Sequence, residues 1–354
     1  MTGGKMTPLG ERAGLKPAEH QLRKAFGDAL LELAQANPKV VVLDGDLGNS
    51  TGSHSVRQAF PERFFNMGIA EANLVSVGAG FAACGYIPFI TSFPSFLFCN
   101  AFDQIRLSIA IAGLKAVLVG SHAGLSTGRE GPSPMSIEDF ALAGGLPSFT
   151  ILVPCDPASM RRAVFAAAEH PGPTYIRSSR ERLPHVYEGD APFVVGAANR
   201  VREGSDVTIM ACGIMVPVSL DAAAILADEG IQARVLDMHT LRPLDTTAIV
   251  EAALETGAIV TAEEHLLQGG MGANIARIVA TTRPVPMRTV GIRDRYAGSA
   301  SPFELMEELG LTPDDVAAAA REAVAAKSGC MKRETVVCEE KGIDAGTPLN
   351  EITG

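Results

Sequence analysis

The sequence predicts an α/β chain of two domains, each a mostly parallel sheet with helices on both faces, and three observations point to it. Short apolar runs rich in β-branched residues alternate with Ala- and Leu-rich stretches of helical period along most of the chain. Those runs are near-continuous in apolar character, which marks strands covered on both faces. With 354 residues, 47% of them hydrophobic, the chain is long enough for two domains with cores of their own.

A first series begins after an N-terminal arm, 1–19, with a helix over 19–37 and a strand over 40–43. A helix over 71–84 leads to a strand over 87–93, and a helix near 100–111 leads to a strand over 116–121. Ser136 and Asp139 have the spacing of a capping box and open a helix ending near Gly144. A strand over 149–153, a helix over 157–170 and a strand over 174–178 complete the first domain, 20–188. The stretch 183–207 is charged and turn-rich, with Pro184, Gly189, Pro192 and Gly204, and marks the boundary. The second domain, 189–327, reads as strands over 207–211, 233–238, 258–262 and 287–291. Helices over 216–229, 246–256 and 272–281 alternate with them, and two more follow from 302 to 327. Residues 328–354 have neither period nor core and read as a tail.

Lys+Arg 30 against Asp+Glu 40 gives a net charge of −10, which argues against nucleic acid or an anionic membrane as partner. The N-terminus has no apolar signal region, and the cysteines (Cys84, Cys99, Cys155, Cys212, Cys330, Cys338) form no tight framework. Both features fit a cytoplasmic, reducing setting. Residues 72–102 contain no charge at all, but Asn73, Pro88 and Pro94 break any membrane span, so the stretch belongs at a core or a subunit interface.

Ligands of open parallel sheets bind at the carboxyl ends of strands. There the sequence places Asp44-Gly45-Asp46-Leu47-Gly48-Asn49-Ser50, a tight-turn composition with no phosphate-loop motif. Glu71 starts a helix, where a carboxylate favours the dipole; set before the uncharged stretch, it is also suited to proton exchange. Phe93 and Phe96 are either core residues or a wall for a flat heterocycle. His122 leads a long glycine-bearing loop containing Glu130, and 177–180 (Arg-Ser-Ser-Arg) ends a strand with basic groups suited to phosphate. Glu263-Glu264-His265 reads as a solvated loop, with metal ligation as the alternative.

Taken together, these motifs are familiar. Phe65-Asn66-Met67-Gly68-Ile69-Ala70-Glu71 resembles the thiamine-pyrimidine motif of the transketolase family. So do Ser92-Phe93-Pro94-Ser95-Phe96, Asp103-Gln104-Ile105-Arg106, Ser121-His122, Gly128 to Pro132 and Ser178-Ser179-Arg180. The second domain resembles that family's C-terminal domain through Arg242-Pro243-Leu244, Glu263-Glu264-His265 and Gly291 to Arg295. The resemblance implies a thiamine-diphosphate enzyme that moves a two-carbon ketol unit from a ketose to an aldose. It implies that Glu71 and His122 are catalytic and that Asp46, Leu47, Glu71, Phe93 and Phe96 hold the cofactor. Arg23, Ser50, His122, Glu130 and Arg180 fall on positions that bind a phosphorylated substrate. Glu130 stands where the family has an aspartate. Pro134 stands in place of a usual histidine, Arg129 in place of an acid, and Cys99-Asn100 where some members have an aromatic.

The family's Gly-Asp-Gly motif followed by Asn, which holds the diphosphate through Mg²⁺ or Ca²⁺, has no counterpart here, so no metal ligand is expected on this chain. The resemblance therefore implies the C-terminal subunit of a split transketolase, paired with an N-terminal-type subunit in a heterotetramer. The competing readings are the beta subunit of a 2-oxo-acid dehydrogenase first component, a carboligase like deoxyxylulose-phosphate synthase, and a non-catalytic paralogue.

Overall fold

A computed structural model describes residues 8–189 and 192–341, with side chains to residue 327. The chain builds two sheets, both mostly parallel. The first is formed by β1 (Val40–Asp44), β2 (Phe64–Asn66), β3 (Ile87–Ser92), β4 (Val117–Ser121), β5 (Thr150–Leu152) and β6 (Thr174–Ser178). The second contains β7 (Asn199–Arg202), β8 (Val207–Ala211), β9 (Ala233–Asp237), β11 (Ile259–Leu266) and β12 (Met287–Ile292); β10 (Thr240–Arg242) leaves it and joins the first. The strand orders are β10-β5-β6-β4-β3-β1-β2 and β12-β11-β8-β9-β7. Among the described strands, only β10, on β5, and β7, on β9, run antiparallel. Strands β1, β3, β4, β6, β8 and β9 are buried along their whole length, as apolar strands covered on both faces must be.

Helices Leu22–Ala36 and Pro157–Glu169 pack side by side against one face of the first sheet, burying Phe26, Leu30, Met160 and Val164. Helix Glu71–Ala83 covers the other face. It approaches β3 so closely at Gly78 that a Cβ there would lie 2.4 Å from Ile90 Cδ1. Its outer residues Asn73, Ser76, Gly80 and Ala83 are exposed, as are Tyr86 and, on the neighbouring turn, Leu107 and Ile111. The uncharged stretch thus buries one face and presents the other to solvent in this chain. Among the described residues, no helix is long and apolar enough to cross a membrane.

Several expectations are corrected. The helix expected near 100–111 is helix Pro94–Asn100, a short turn Phe102–Gln104 and a π-helical stretch Ile105–Ile111. The Ser136–Asp139 capping box does not form. Helix Asp139–Gly144 starts without a side-chain cap, because the Asp139 carboxylate accepts instead from Tyr175 and Arg177. The turn-rich stretch 183–207 contains β7 and bridges the two sheets. Tyr187 Oη donates to Asp237 at 2.6 Å, and the Val186 and Tyr187 amides donate to Asp156 at 3.0 Å. The tail is helical in its first part, since helix Pro313–Lys341 runs through 328–341; residues 342–354 lie outside the described residues. The N-terminal arm is anchored to the second domain, where the Gly10 and Ala13 amides donate to the Asp221 carboxylate at 2.7 and 2.9 Å.

Candidate active site

Because β6, β4, β3 and β1 are parallel neighbours, the residues that follow them gather along one edge: Arg180 after β6, His122 after β4, Phe93 after β3, and Asp46 and Leu47 after β1. Glu71 arrives there through the loop after β2. The structure brings most of the sequence-predicted residues together in this way.

Glu71 is buried (5% exposed) at the first turn of its helix. Among the described residues its carboxylate meets only the Ser92 hydroxyl, at 3.5 Å, so most of its acceptor capacity is unused. Phe93 stacks on His122 with ring centroids 4.4 Å apart and on Phe96 at 5.5 Å, each pair within 21° of parallel. This continuous aromatic wall is partly open at Phe96. His122 has a left-handed backbone (φ 63°) and shares a hydrogen bond between Nδ1 and Ser121 Oγ at 2.8 Å. Its pKa is pushed down to about 3 by burial, and further by the Arg180 and Arg23 guanidiniums. The ring is therefore neutral at physiological pH.

The loop after β1 is organised by a residue that sequence reading assigned no role. Asp44 is buried, and its Oδ1 accepts from the Leu47 amide at 2.7 Å. Its Oδ2 accepts from Thr91 at 2.7 Å and Ser53 at 2.9 Å. An aspartate ending an apolar strand was the available signal. Asp46 itself is exposed and accepts from Asn66 Nδ2 at 2.8 Å. Gly52, with φ 90°, seats this loop on helix Leu22–Ala36, since a Cβ there would lie 2.3 Å from the Arg23 carbonyl. That contact brings Ser50 near Arg23, whose Nη1 donates to the Asn49 carbonyl at 3.3 Å. On the far side, Arg180 Nη1 donates to Glu130 at 3.0 Å. Pro134 is buried, and its carbonyl accepts from Ser95 Oγ at 3.0 Å.

Two expectations fail nearby. Arg177, read as a phosphate-binding group, is buried and committed to protein: Nε donates to Asp139 at 2.9 Å and Nη1 to Glu264 Oε2 at 3.3 Å. Glu263, Glu264 and His265 form neither a solvated loop nor a metal site; all three are buried within β11. Glu263 accepts from the Met271 and Gly272 amides, Glu264 from Leu125, and His265 Nε2 from Phe140. Burial raises the pKa of both glutamates to about 7, against the opposing pull of these donors. Through Leu125, Glu264 ties the second domain to the loop that follows His122. Among the described residues, no group of three or more His, Cys, Asp or Glu side chains is placed to hold a metal ion.

Residues 18–186 match the family described as transketolase, pyrimidine binding domain, and residues 196–316 match transketolase, C-terminal domain. A similar curated protein is the 6-deoxy-6-sulfo-D-fructose transketolase subunit SqwH of Clostridium sp. (strain MSTE9), 40% identical over 89% of this chain and 98% of that one. The chain belongs to the transketolase family. It corresponds to the family's pyrimidine-binding and C-terminal domains, and spans 48% of the transketolase-like protein 2 of Mus musculus, to which it is 37% identical over 85% of its length. A solved structure described as a split gene transketolase, inactive beta4 tetramer, matches with a TM-score of 0.82 and 46% identity, over 87% of this chain and 99% of that one. Transketolase family membership favours ketol transfer over the 2-oxo-acid dehydrogenase reading.

Proposed function

We propose that this chain is the C-terminal-type subunit of a split transketolase. It transfers a two-carbon ketol unit from a ketose with an anionic end group to an aldose, together with an N-terminal-type subunit in a heterotetramer. The setting is cytoplasmic, and the partner carries the ligands of Mg²⁺ or Ca²⁺. The observation that carries this reading is the buried Glu71 carboxylate, which among the described residues meets only the Ser92 hydroxyl, beside the His122–Phe93–Phe96 wall.

These residues fit the pyrimidine half of thiamine diphosphate: a flat aromatic wall for the ring, and a carboxyl group with unused capacity for a ring nitrogen. When bound, the cofactor supplies the electron sink for carbon–carbon cleavage. With the cofactor bound, Glu71 would hold a proton at N1′ of its pyrimidine, and Phe93 and Phe96 would hold the ring. Asp46 and Leu47 would line the thiazolium side of the bound cofactor. Neutral His122 offers Nε2 to the substrate, its Nδ1 being engaged with Ser121, and Arg23, Ser50 and Arg180 orient the anionic end while Glu130 meets a substrate hydroxyl. The uncharged outer face of helix Glu71–Ala83, with exposed Ile69, Leu107 and Ile111, supports a protein partner over this side.

The test is Glu71→Gln in the assembled complex, read by hydrogen–deuterium exchange at C2 of the bound cofactor. The near-isosteric amide cannot share the proton, so exchange is expected to slow by orders of magnitude while assembly is kept. Exchange at wild-type speed would reduce Glu71 to a helix-end charge and overturn the reading.

A further inference from the structure

Ser121 ends β4 as a fully buried residue. Among the described residues its hydroxyl oxygen meets a single polar partner, His122 Nδ1, at 2.8 Å. The imidazole is held from other sides as well. His122 takes a left-handed backbone (φ 63°). The turn is fixed where the Ala123 amide donates to the Ser178 carbonyl at 3.1 Å and the Gly124 amide to the Ser136 carbonyl at 2.9 Å. The ring stacks on Phe93 with centroids 4.4 Å apart, 21° from parallel. Its plane is therefore set, with Nδ1 at Ser121, while Nε2 meets no protein group among the described residues.

The direction of this hydrogen bond follows from where the protons go. A serine hydroxyl has one proton to donate, and a neutral imidazole carries one N–H. Were the ring proton on Nδ1, it would donate to Ser121 Oγ. The hydroxyl proton would then be buried with no acceptor within reach, at the cost of an unmade hydrogen bond. A doubly protonated ring would strand that proton in the same way. With the hydroxyl donating to Nδ1 nothing is stranded, and the ring proton sits on Nε2. Burial disfavours the charged ring as well. We infer that Ser121 is a positioning residue: it locks His122 in the tautomer protonated at Nε2, which makes His122 a hydrogen-bond donor to a substrate oxygen and not a base. The group His122 takes is then an acceptor oxygen, as on the anionic end of the ketose, rather than a hydroxyl whose proton is to be removed.

The tautomer is a property of this chain, whereas donation to substrate rests on the transketolase reading, and the test has an arm for each. The full chain is labelled with nitrogen-15 histidine, and the His122 signals are identified by their loss in His122→Asn. The wild type is expected to show Nε2 as a pyrrole-type and Nδ1 as a pyridine-type nitrogen. Ser121→Ala is expected to admit a share of the tautomer protonated at Nδ1, and Ser121→Thr, which keeps the hydroxyl, to restore the wild-type pattern. A pyrrole-type Nδ1 in the wild type, or a pattern unmoved in Ser121→Ala, would overturn the role of Ser121. In the complex with the N-terminal-type subunit, kcat/KM is measured for D-fructose 6-phosphate and D-xylulose 5-phosphate. Ser121→Ala is expected to lower it by about tenfold, roughly the worth of one hydrogen bond, and Ser121→Thr to recover it. In the His122→Asn background Ser121→Ala is expected to have no further effect. The same loss in that background would show Ser121 acting on the fold instead and overturn the inference. Turnover of neither ketose by the wild-type complex would overturn the transketolase reading, while the spectrum still decides the tautomer.

Discussion

Replacing Arg177 by Met removes the guanidinium that joins the two domains while keeping an apolar stem of similar length. In the native chain Arg177 is 4% exposed. It donates to the Asp139 carboxylate at 2.9 Å, the Glu264 carboxylate at 3.3 Å and the Glu264 carbonyl at 2.9 Å, and it lies 4.6 Å over the Phe140 ring. Burial opposes its charge, but Asp139 and Glu264 outweigh burial and keep it ionised. After the substitution, among the described residues, Asp139 retains only the Tyr175 hydroxyl, at 2.7 Å, and Glu264 only the Leu125 amide, at 2.9 Å. Breaking a buried pair from one side costs about 3–5 kcal/mol, because a carboxylate is left without compensation. At about 2–4 °C per kcal/mol for a unit of 150–250 residues, that is a fall in Tm of roughly 6–20 °C. Calorimetry on the purified chain measures it. The Arg177→Met/Glu264→Gln double variant is expected to recover part of the loss, with a coupling energy of about 1.5–3 kcal/mol. A loss below about 1 kcal/mol, or strictly additive single effects, would refute the network as the domain clamp.

Two further perturbations have expected outcomes. His122 titrates near 6.5 when unfolded but at about 3 when folded, so only the unfolded state takes up its proton between these values, and this group's stabilisation is lost as pH falls below 6.5. By pH 5 that is about 2 kcal/mol. His122→Asn tolerates the left-handed backbone, so its stability deficit against wild type is expected to shrink by that amount between pH 7.5 and 5; parallel pH profiles in thermal melts would exclude the shift. Gly52→Ala meets both a positive φ and the Arg23 carbonyl, with an expected cost of at least about 2 kcal/mol in denaturant melts. A variant as stable as wild type would show that the close approach is not required.

Much of the fold was legible because the central strands are apolar on both faces and their helices are periodic, as in 40–43, 87–93 and 174–178. The strands that were missed, β2, β7 and β10, have only three or four residues and include polar or charged side chains. Long-range pairing decides their state, and β10 takes its partner from the other half of the chain. In the site, Phe93 and His122 stood out by their place after strands, and Glu71 by its place at a helix start before the uncharged stretch. Arg177 and Glu264 were misjudged because a strand-end arginine and an acidic pair look solvated until the opposing domain is known. The Ser136–Asp139 box failed because Arg177 and Tyr175, on β6 of the same domain, take the carboxylate that local sequence assigns to a cap.

The most direct measurement is the ketol-transfer rate of this chain, with thiamine diphosphate and Mg²⁺ in excess, as the N-terminal-type subunit is titrated in. On the proposed reading this chain supplies the pyrimidine side, through Glu71 with Phe93, and the partner supplies the metal ligands. The rate is therefore expected to be nil without the partner and to saturate at one partner per chain. Turnover by the isolated chain, or no turnover at any partner concentration, would contradict the split-enzyme reading.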